Sequence, residues 1–390
     1  MRRSPRTSRN HDPREAGSRV RIAIVSEYYY PHLGGISEHV HFFAREARRA
    51  GHHVDILTSN LPGATPQENV IRVGRSVPLY VNNSQSRITV GSRLRSEVRR
   101  VLRDGAYDIV HAHSPLTPIL PTVALEEAEV PVVGTFHTYF DRSLSYRVLR
   151  RAFQRRLDKL SAAIAVSPSA IVALSRYFDA DWKIIPNGVD TDMFRPDAPR
   201  PPGLRGDVPV ILFLGRFDPR NGLSALIEAF KRVKGRARRA QLVVVGDGPL
   251  RNYYRRKAGG DRDIYFVGAV LDGRPGYYAH SDIYACPTTK ASFGITLLEA
   301  MACETPIVCS DILGFRDVVM HGREAFMVPR NDPEALANGL VHLLDDEPLR
   351  RRLGATGRAR ALEYDWRRVS AEVLDIYESI LSPARLPLAL

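Results

Sequence analysis

The sequence predicts an α/β protein made of two doubly wound, Rossmann-like domains that face each other across a cleft. Three observations carry this reading. Short apolar runs of strand length alternate with stretches of helical period, as in parallel βαβ units whose strands are buried on both faces. The alternation stops at residues 196–206, a stretch rich in Pro and Arg that reads as a linker, and then begins again. The length of 390 residues suits two domains of about 150–200 residues each. Domains facing in this way hold a ligand between the carboxyl ends of their strands.

Taken in order, residues 1–18 are rich in arginine, with Pro5, Pro13 and no apolar core, and read as a disordered basic arm rather than a secretory signal. The first domain, residues 19–195, opens with a strand at 21–26. Gly34-Gly35 follow, then a helix over 37–50 closed by Gly51. Further strands are expected at 54–58, 108–111, 132–136 and 163–166, with a basic helix at 92–104. The second domain, 207–363, has strands at 208–215, 241–246, 264–268, 283–286, 307–309 and 325–328, and a helix at 222–233. The tail is helical from residue 332. Its last segment, 364–382, is amphipathic, with Val369, Val373, Ile376 and Ile380 at helical spacing.

Composition narrows the function. With 44% hydrophobic and 25% charged residues a large core is available, and no apolar run approaches the ~20 residues that span a bilayer. Cys286, Cys303 and Cys309 are odd in number and lack metal-ligand spacing, so buried free thiols and a cytoplasmic setting are expected. The net charge of +13 favours anionic partners. No motif for RNA or DNA accompanies it, so nucleic acid is not an expected partner. In the basic helix, Leu94, Val98, Val101 and Leu102 form one face, and Arg93, Arg95, Arg99, Arg100 and Arg103 cover the rest. Two readings stay open: a solvated helix docked on the sheet, or attraction to an anionic lipid surface at about 1 kcal/mol per basic residue. A second cluster, Arg147, Arg150, Arg151, Arg155 and Arg156, supports the latter and a peripheral place at the cytoplasmic face of the membrane.

Several residues carry chemistry. Gly294 opens a helix whose first turns are apolar apart from one carboxylate, Glu299. The free N–H groups of such a helix start are an anion site, and the carboxylate can accept from a hydroxylated ligand. Arg216 follows one strand and precedes a helix, where its guanidinium offers two donors to phosphate oxygens. Gly34 and Gly35 let backbone N–H groups approach phosphates from the other side. His137 ends a strand and so faces the cleft. Asp190-Thr191-Asp192 and Asp179-Ala180-Asp181 have the form of a metal motif but read as turn residues, and no metal is expected.

Phe136-His137-Thr138, the run 185–190 (Ile-Pro-Asn-Gly-Val-Asp), the run 212–216 (Leu-Phe-Leu-Gly-Arg), Ser292-Phe293-Gly294 and Tyr364-Asp365-Trp366 occur in the order found in glycosyltransferase family 4. Across about residues 20–382 the chain resembles its phosphatidylinositol mannosyltransferase branch. The resemblance implies the GT-B architecture and transfer of a hexose, mannose or similar, from a GDP- or UDP-hexose to a hydroxyl of a phosphorylated or lipid-linked acceptor. Anomeric configuration would be retained, without an obligatory cofactor. It implies catalytic roles for His137, at the donor sugar, and for Arg216, at the diphosphate. Donor contacts would come from Gly34, Gly35, Arg220, Asn221, Val270 (main chain, at the base), Ala291, Phe293, Gly294, Ile295, Thr296 and Glu299 (at the ribose). The acceptor would meet Tyr28, Asn82, Ser84, Arg87 and Arg142. The final helix would cross back onto the first domain. Two positions depart from the pattern: Ala291 replaces a glutamate that grips sugar hydroxyls, and Asn221 replaces a lysine. They leave three readings: a working enzyme in which Arg220 and backbone groups compensate, a transferase for an atypical donor sugar, or a degenerate nucleotide-sugar-binding protein.

Overall fold

The structure is a computed structural model that describes residues 19–382 apart from positions 33, 82–83, 117–118, 141, 237–238 and 271–272. Its first half runs β1 (Arg21–Ser26), α1 (Gly35–Arg49), β2 (His53–Ser59), β3 (Val70–Val73), β4 (Arg75–Val81), β5 (Ser84–Val90), α2 (Leu94–Asp104) and β6 (Ile109–His113). It continues with α3 (Ile119–Glu127), β7 (Val132–Phe136), α4 (Leu144–Val148), α5 (Arg150–Leu157), β8 (Ala162–Ala165), α6 (Pro168–Leu174) and β9 (Trp182–Ile184). The second half runs β10 (Val210–Leu214), α7 (Leu223–Gly235), β11 (Gln241–Val245), α8 (Arg251–Ala258), β12 (Ile264–Gly268), α9 (Arg274–Ala279), β13 (Ile283–Cys286) and α10 (Ile295–Ala302). Then come β14 (Ile307–Ser310), α11 (Leu313–Arg316), β15 (Ala325–Val328), α12 (Pro333–Asp345), α13 (Glu347–Glu363) and α14 (Trp366–Leu381).

Two parallel sheets result, one in each domain. Their strand orders are β3-β2-β1-β6-β7-β8-β9 and β12-β11-β10-β13-β14-β15. The apolar runs become strands because helices cover both sheet faces: every residue of β6, β7 and β11 is buried. In each sheet the order reverses beside the first strand, between β1 and β6 and between β10 and β13. Such a reversal sends the following helices to opposite faces and opens a crevice at the strand ends. The loops that start α1 and α10 leave from these two crevices.

The antiparallel pair β4–β5 has no counterpart among the expected strands. Its sequence mixes Pro78, Arg75, Arg87 and several hydroxyl residues into the runs, so an apolar-run criterion passes over it. Glu27, buried at the end of β1, fixes it by accepting from the Thr89 hydroxyl and, through its other oxygen, from the Leu120 N–H. Burial pushes the Glu27 carboxyl above its ordinary range.

The last helix returns to the first domain. Val189 N–H donates to the Tyr364 carbonyl and Trp366 N–H to the Val189 carbonyl. Gly188 admits the Trp366 ring, since a Cβ there would lie 2.6 Å from it. Trp366, Val369, Val373, Ile376 and Tyr377 then share one core with Phe42 and Phe43 of α1. Two of the motifs noted in the sequence thus meet at one crossing point.

Candidate active site in the interdomain cleft

Two helix starts face each other across the cleft. A Cβ on Gly35, first residue of α1, would lie 2.9 Å from Cδ1 of Ile295, first residue of α10. Gly34 and Gly294 are the residues that cap these helices, and neither cap supplies a side-chain acceptor to the free N–H groups. Donors from both domains therefore point at one region, where an anion is stabilised. Arg216 leaves the end of β10, held by the Gly215 N–H on the Val245 carbonyl. Gly246, at φ 135, lies so close that a Cβ would sit 1.9 Å from the Gly215 oxygen. Burial and the neighbouring Arg220 lower the pKa of Arg216, which marks the spot as electropositive. Asp218 caps the following turn through the Arg220 N–H, and the Arg220 side chain lies 3.4 Å from its carboxylate. The Asn221 amide donates to the Arg216 carbonyl at 2.8 Å, so here this residue shapes the loop.

Glu299 is 2% exposed and both its oxygens are engaged. One accepts from the Tyr278 hydroxyl at 2.8 Å, and the other meets Arg274 at 3.2 Å. Arg274 reaches across the cleft as well, to Glu38 of α1 at 3.0 Å, and Glu38 accepts from the Tyr30 hydroxyl at 2.8 Å. Burial raises the Glu299 carboxyl above its ordinary pKa, while Arg274 opposes that rise. A carboxylate offers about four lone-pair positions, so two remain for hydroxyls of a ligand. Sequence reasoning missed Arg274. It stands at a helix start with no periodic or motif signal, and one carboxylate partner lies 236 residues away.

His137 follows β7 and lies within a group of four histidines. Its Nε2 and the Nδ1 of His113 are 2.8 Å apart, and the two rings stack at 5.1 Å. His39 approaches His137 edge-on at 4.9 Å and donates or accepts through Nδ1 at Asn187 Oδ1, 2.8 Å away. An amide oxygen only accepts, so His39 carries its proton on Nδ1. The buried Nε2 of His113 has no partner among the described residues. A lone pair is left unpaired there at less cost than an N–H, which places the His113 proton on Nδ1, donating to His137. His137 then holds its own proton on Nδ1, ready to donate. Burial drives all four rings to the neutral form, His39 to about 4 and His111 to about 3. The sequence held a usable signal for this group: His111 and His113 are two apart on a strand and so share a face.

Beyond the end of β1, the Tyr28 hydroxyl lies 3.3 Å from the Arg87 N–H and 3.4 Å from its carbonyl. Arg87 itself donates to the Ser76 hydroxyl at 2.7 Å. The His32 and Tyr28 rings lie 5.1 Å apart, tilted by 31°, and the His32 pKa falls to about 4 through burial, Arg216 and Arg87. The structure thus brings Tyr28 and Arg87 to Arg216, together with His32, which the sequence reading passed over. Asn82 lies outside the described residues, and Ser84 begins β5 at the tip of the hairpin. Arg142 is exposed on the segment leaving His137.

The loop before α10 is pinned to the first domain. The Ser292 hydroxyl accepts from the Tyr139 N–H at 2.6 Å, and the Ser292 carbonyl accepts from Ser167 at 2.8 Å. Phe293 is buried against Tyr364 in the core and Thr296 bonds to Tyr284, so both build the loop from below. Val270 packs at the edge of the same core, beyond the end of β12. Asp190 is held by Arg45 and accepts from the N–H groups of Asp192 and Met193, as a turn residue does. Among the described residues no cluster has the makings of a metal site. The three cysteines are buried and free.

In α2 the face of Leu94, Val98 and Leu102 is buried against the sheet, and Arg95 and Arg99 pair with Glu126 and Glu127 of the neighbouring helix. Arg93, Arg100 and Arg103 remain exposed. Among the described residues no helix is long and apolar enough to cross a membrane.

Residues 33–193 match the family described as "Glycosyltransferase Family 4", and residues 208–346 match "Glycosyl transferases group 1". A phosphatidyl-myo-inositol mannosyltransferase of Mycobacterium leprae is 36% identical over 364 residues, covering 93% of this chain and 97% of that protein. Among solved structures, a glycosyltransferase of Rickettsia africae has a TM-score of 0.75 at 18% identity, covering 94% of this chain and all of that one. The Anabaena protein HepE in complex with UDP-glucose has a TM-score of 0.74 at 19% identity, covering 92% of this chain and all of that one. Both have this fold. The chain belongs to glycosyltransferase family 4, and it is a glycosyltransferase of the GT-B architecture.

Proposed function

We propose that the protein moves a hexosyl group from a nucleoside diphosphate sugar to a hydroxyl of a phosphorylated or lipid-linked acceptor, with retention of configuration. The observation that carries this reading is the meeting of two bare helix starts, at Gly35 and Ile295, beside Arg216. Their N–H groups and the guanidinium stabilise the charge that develops on the leaving diphosphate. Glu299, held by Arg274 and Tyr278, takes the ribose hydroxyls. The main chain near Val270 takes the base. His137 donates from Nδ1 to the sugar, and the acceptor enters past Tyr28 and Arg87. The leaving phosphate oxygen takes the acceptor proton on the same face of the sugar. Similarity to a phosphatidyl-myo-inositol mannosyltransferase supports an inositol phospholipid or a related anionic acceptor.

A lipid acceptor requires access to a membrane. The apolar face of α2 is spent on the core, so its part would be electrostatic, through Arg93, Arg100 and Arg103. The better apolar contact is the α4–α5 region. Leu144, Val148 and Leu149 are 67%, 70% and 50% exposed, among Arg147, Arg150, Arg151 and Arg155. This amphipathic surface follows His137 by a few residues, close to where the acceptor hydroxyl must arrive.

The function is tested with purified full-length protein, a panel of GDP- and UDP-sugars, and lipid extract as acceptor. Turnover is expected with at least one donor. Arg216→Ala is expected to lower kcat/KM by about 10- to 150-fold, the worth of one charge-assisted hydrogen bond of about 1.5–3 kcal/mol. Nucleotide binding without turnover on any donor would favour a non-catalytic binding protein instead.

A further inference from the structure

The sugar end of the site departs from its family at Ala291, and the structure has a cavity of about 370 Å³ beside that residue. It lies at the carboxyl ends of β13, β14 and β15 and is bordered by Tyr139 from the other domain. Its charged lining residues are Lys290, Arg316, Arg330 and Asp311, three cations against one carboxylate. Asp311 is already committed to Arg316 through both oxygens, at 2.5 and 2.7 Å. No ion pair joins Arg330 to a carboxylate among the described residues. Lys290 sits 5.7 Å above the Tyr139 ring.

The cavity is tied to the diphosphate region on two sides. The Thr289 N–H donates to the Arg220 carbonyl at 2.8 Å, linking this loop to that of Arg216. Gly314 presses against Ala291, where a Cβ would lie 2.2 Å from the Ala291 oxygen. Ala291 is also only four residues before Ile295, whose helix start faces the phosphates. A sugar attached to those phosphates therefore has the cavity as its neighbour. A carboxylate at position 291 would repel a negative group there, and alanine removes that repulsion while Lys290 and Arg330 supply attraction.

We propose that this cavity is an anion subsite and that the transferred sugar carries a negative group, as a hexuronate does. This rests on the glycosyl-transfer reading above and narrows its donor. The bond changes are those of ordinary glycosyl transfer. The bond from C1 to the diphosphate oxygen breaks and leaves its electron pair on that oxygen. The acceptor oxygen bonds to C1 and gives up its proton to the leaving group. The carboxylate of the sugar is a bystander held by Lys290 and Arg330.

The test measures binding to full-length protein by calorimetry, without acceptor. The probes are UDP-glucose against UDP-glucuronate, GDP-mannose against GDP-mannuronate, and UDP and GDP alone. At least one uronate is expected to bind 10-fold or more tightly than its neutral partner, roughly the worth of one charge-assisted contact. Lys290→Gln with Arg330→Gln should erase that preference, and Ala291→Glu should reverse it. Equal or better binding of both neutral sugars would overturn the proposal, as would a uronate preference that survives the double substitution. Failure of bare UDP and GDP to bind would strike the glycosyl-transfer site itself, which separates the two failures.

Discussion

Arg274→Ala should cost about 3 kcal/mol of stability at pH 7, and much less in mild acid. Arg274 stands between Glu38 at 3.0 Å and Glu299 at 3.2 Å, with side-chain exposures of 16%, 9% and 3% respectively. Removing it leaves two carboxylates facing each other out of water, and breaking a buried pair in this way costs about 3–5 kcal/mol. Protonation sets a ceiling on that cost. Burial already holds the Glu299 pKa above its ordinary 4.5, and Arg274 is the largest opposing influence. Without the arginine the carboxyl rises further and takes a proton. Neutralising a group of ordinary pKa 4.5 at pH 7 costs about 1.36 × 2.5, or about 3.4 kcal/mol, and at pH 5.5 about 1.4 kcal/mol. A carboxyl whose pKa is raised in the folded state loses stability as pH rises. The gap between wild type and variant should therefore widen from pH 5.5 to pH 7.

Urea unfolding of both proteins at the two pH values, followed by circular dichroism, reads this directly. A protonated Glu299 is also a poorer acceptor for ribose hydroxyls, so the variant should bind GDP or UDP about 10- to 150-fold more weakly. A destabilisation below about 1 kcal/mol, as for an exposed pair, or one independent of pH, would refute the reasoning. Glu38→Gln in the Arg274→Ala background removes one of the two facing charges and should restore part of the loss.

Two further outcomes are expected. The native His39 and His111 titrate at about 4 and about 3, whereas the unfolded chain takes up protons from pH 6.5 downward. Stability should be intact above pH 6.5 and fall below it, by about 2 kcal/mol for each of these two rings at pH 5; a flat unfolding free energy from pH 7.5 to 5 would contradict their burial as neutral rings. At the membrane, liposome co-sedimentation should require anionic lipid, weaken with salt, and drop with Val148→Asp and Leu149→Asp. Indifference to all three would remove α4–α5 as the contact.

Much of the scaffold was legible because buried parallel strands are written as apolar runs. The runs at 21–26, 132–136, 264–268, 283–286 and 325–328 are strands with those bounds. The hairpin β4–β5 was not legible, since a polar pair held by Glu27 and Thr89 carries no such run. Around the cleft, Arg216 and His137 could be proposed because each follows a strand, Gly35 because it starts a helix, and Glu299 because it is the one carboxylate in the first turns of α10. Arg274, His39 and His32 could not, because their roles come from neighbours far away in sequence. Glu38 and Arg274 meet only after both domains have folded, and His39 and Asn187, 148 residues apart, only after the first has. The basic helix shows the same limit: its arginines were visible in sequence, but the carboxylates of Glu126 and Glu127 that neutralise two of them were not.

The two departures from the family pattern are not equivalent once their surroundings are compared. Asn221 turns its amide onto the Arg216 carbonyl and keeps the loop that presents the guanidinium, while Arg220 stands beside it as a second cation. The charge in this loop is carried by Arg216 and Arg220, the latter 3.4 Å from the Asp218 carboxylate. At Ala291 the one carboxylate nearby is Asp311, which lines the same cavity and is engaged by Arg316. With Arg316 and Asp311 paired, Lys290 and Arg330 are the other cations in that lining. A protein losing catalysis by drift would be expected to lose the costly buried groups as well, since unpaired buried charge is among the most destabilising features a fold can carry. Here the Glu38–Arg274–Glu299 set is complete, with Tyr30 and Tyr278 supporting its outer oxygens. That set, beside a cavity lined by three cations and one carboxylate, supports the proposal of a transferase with a different donor over that of a decayed one.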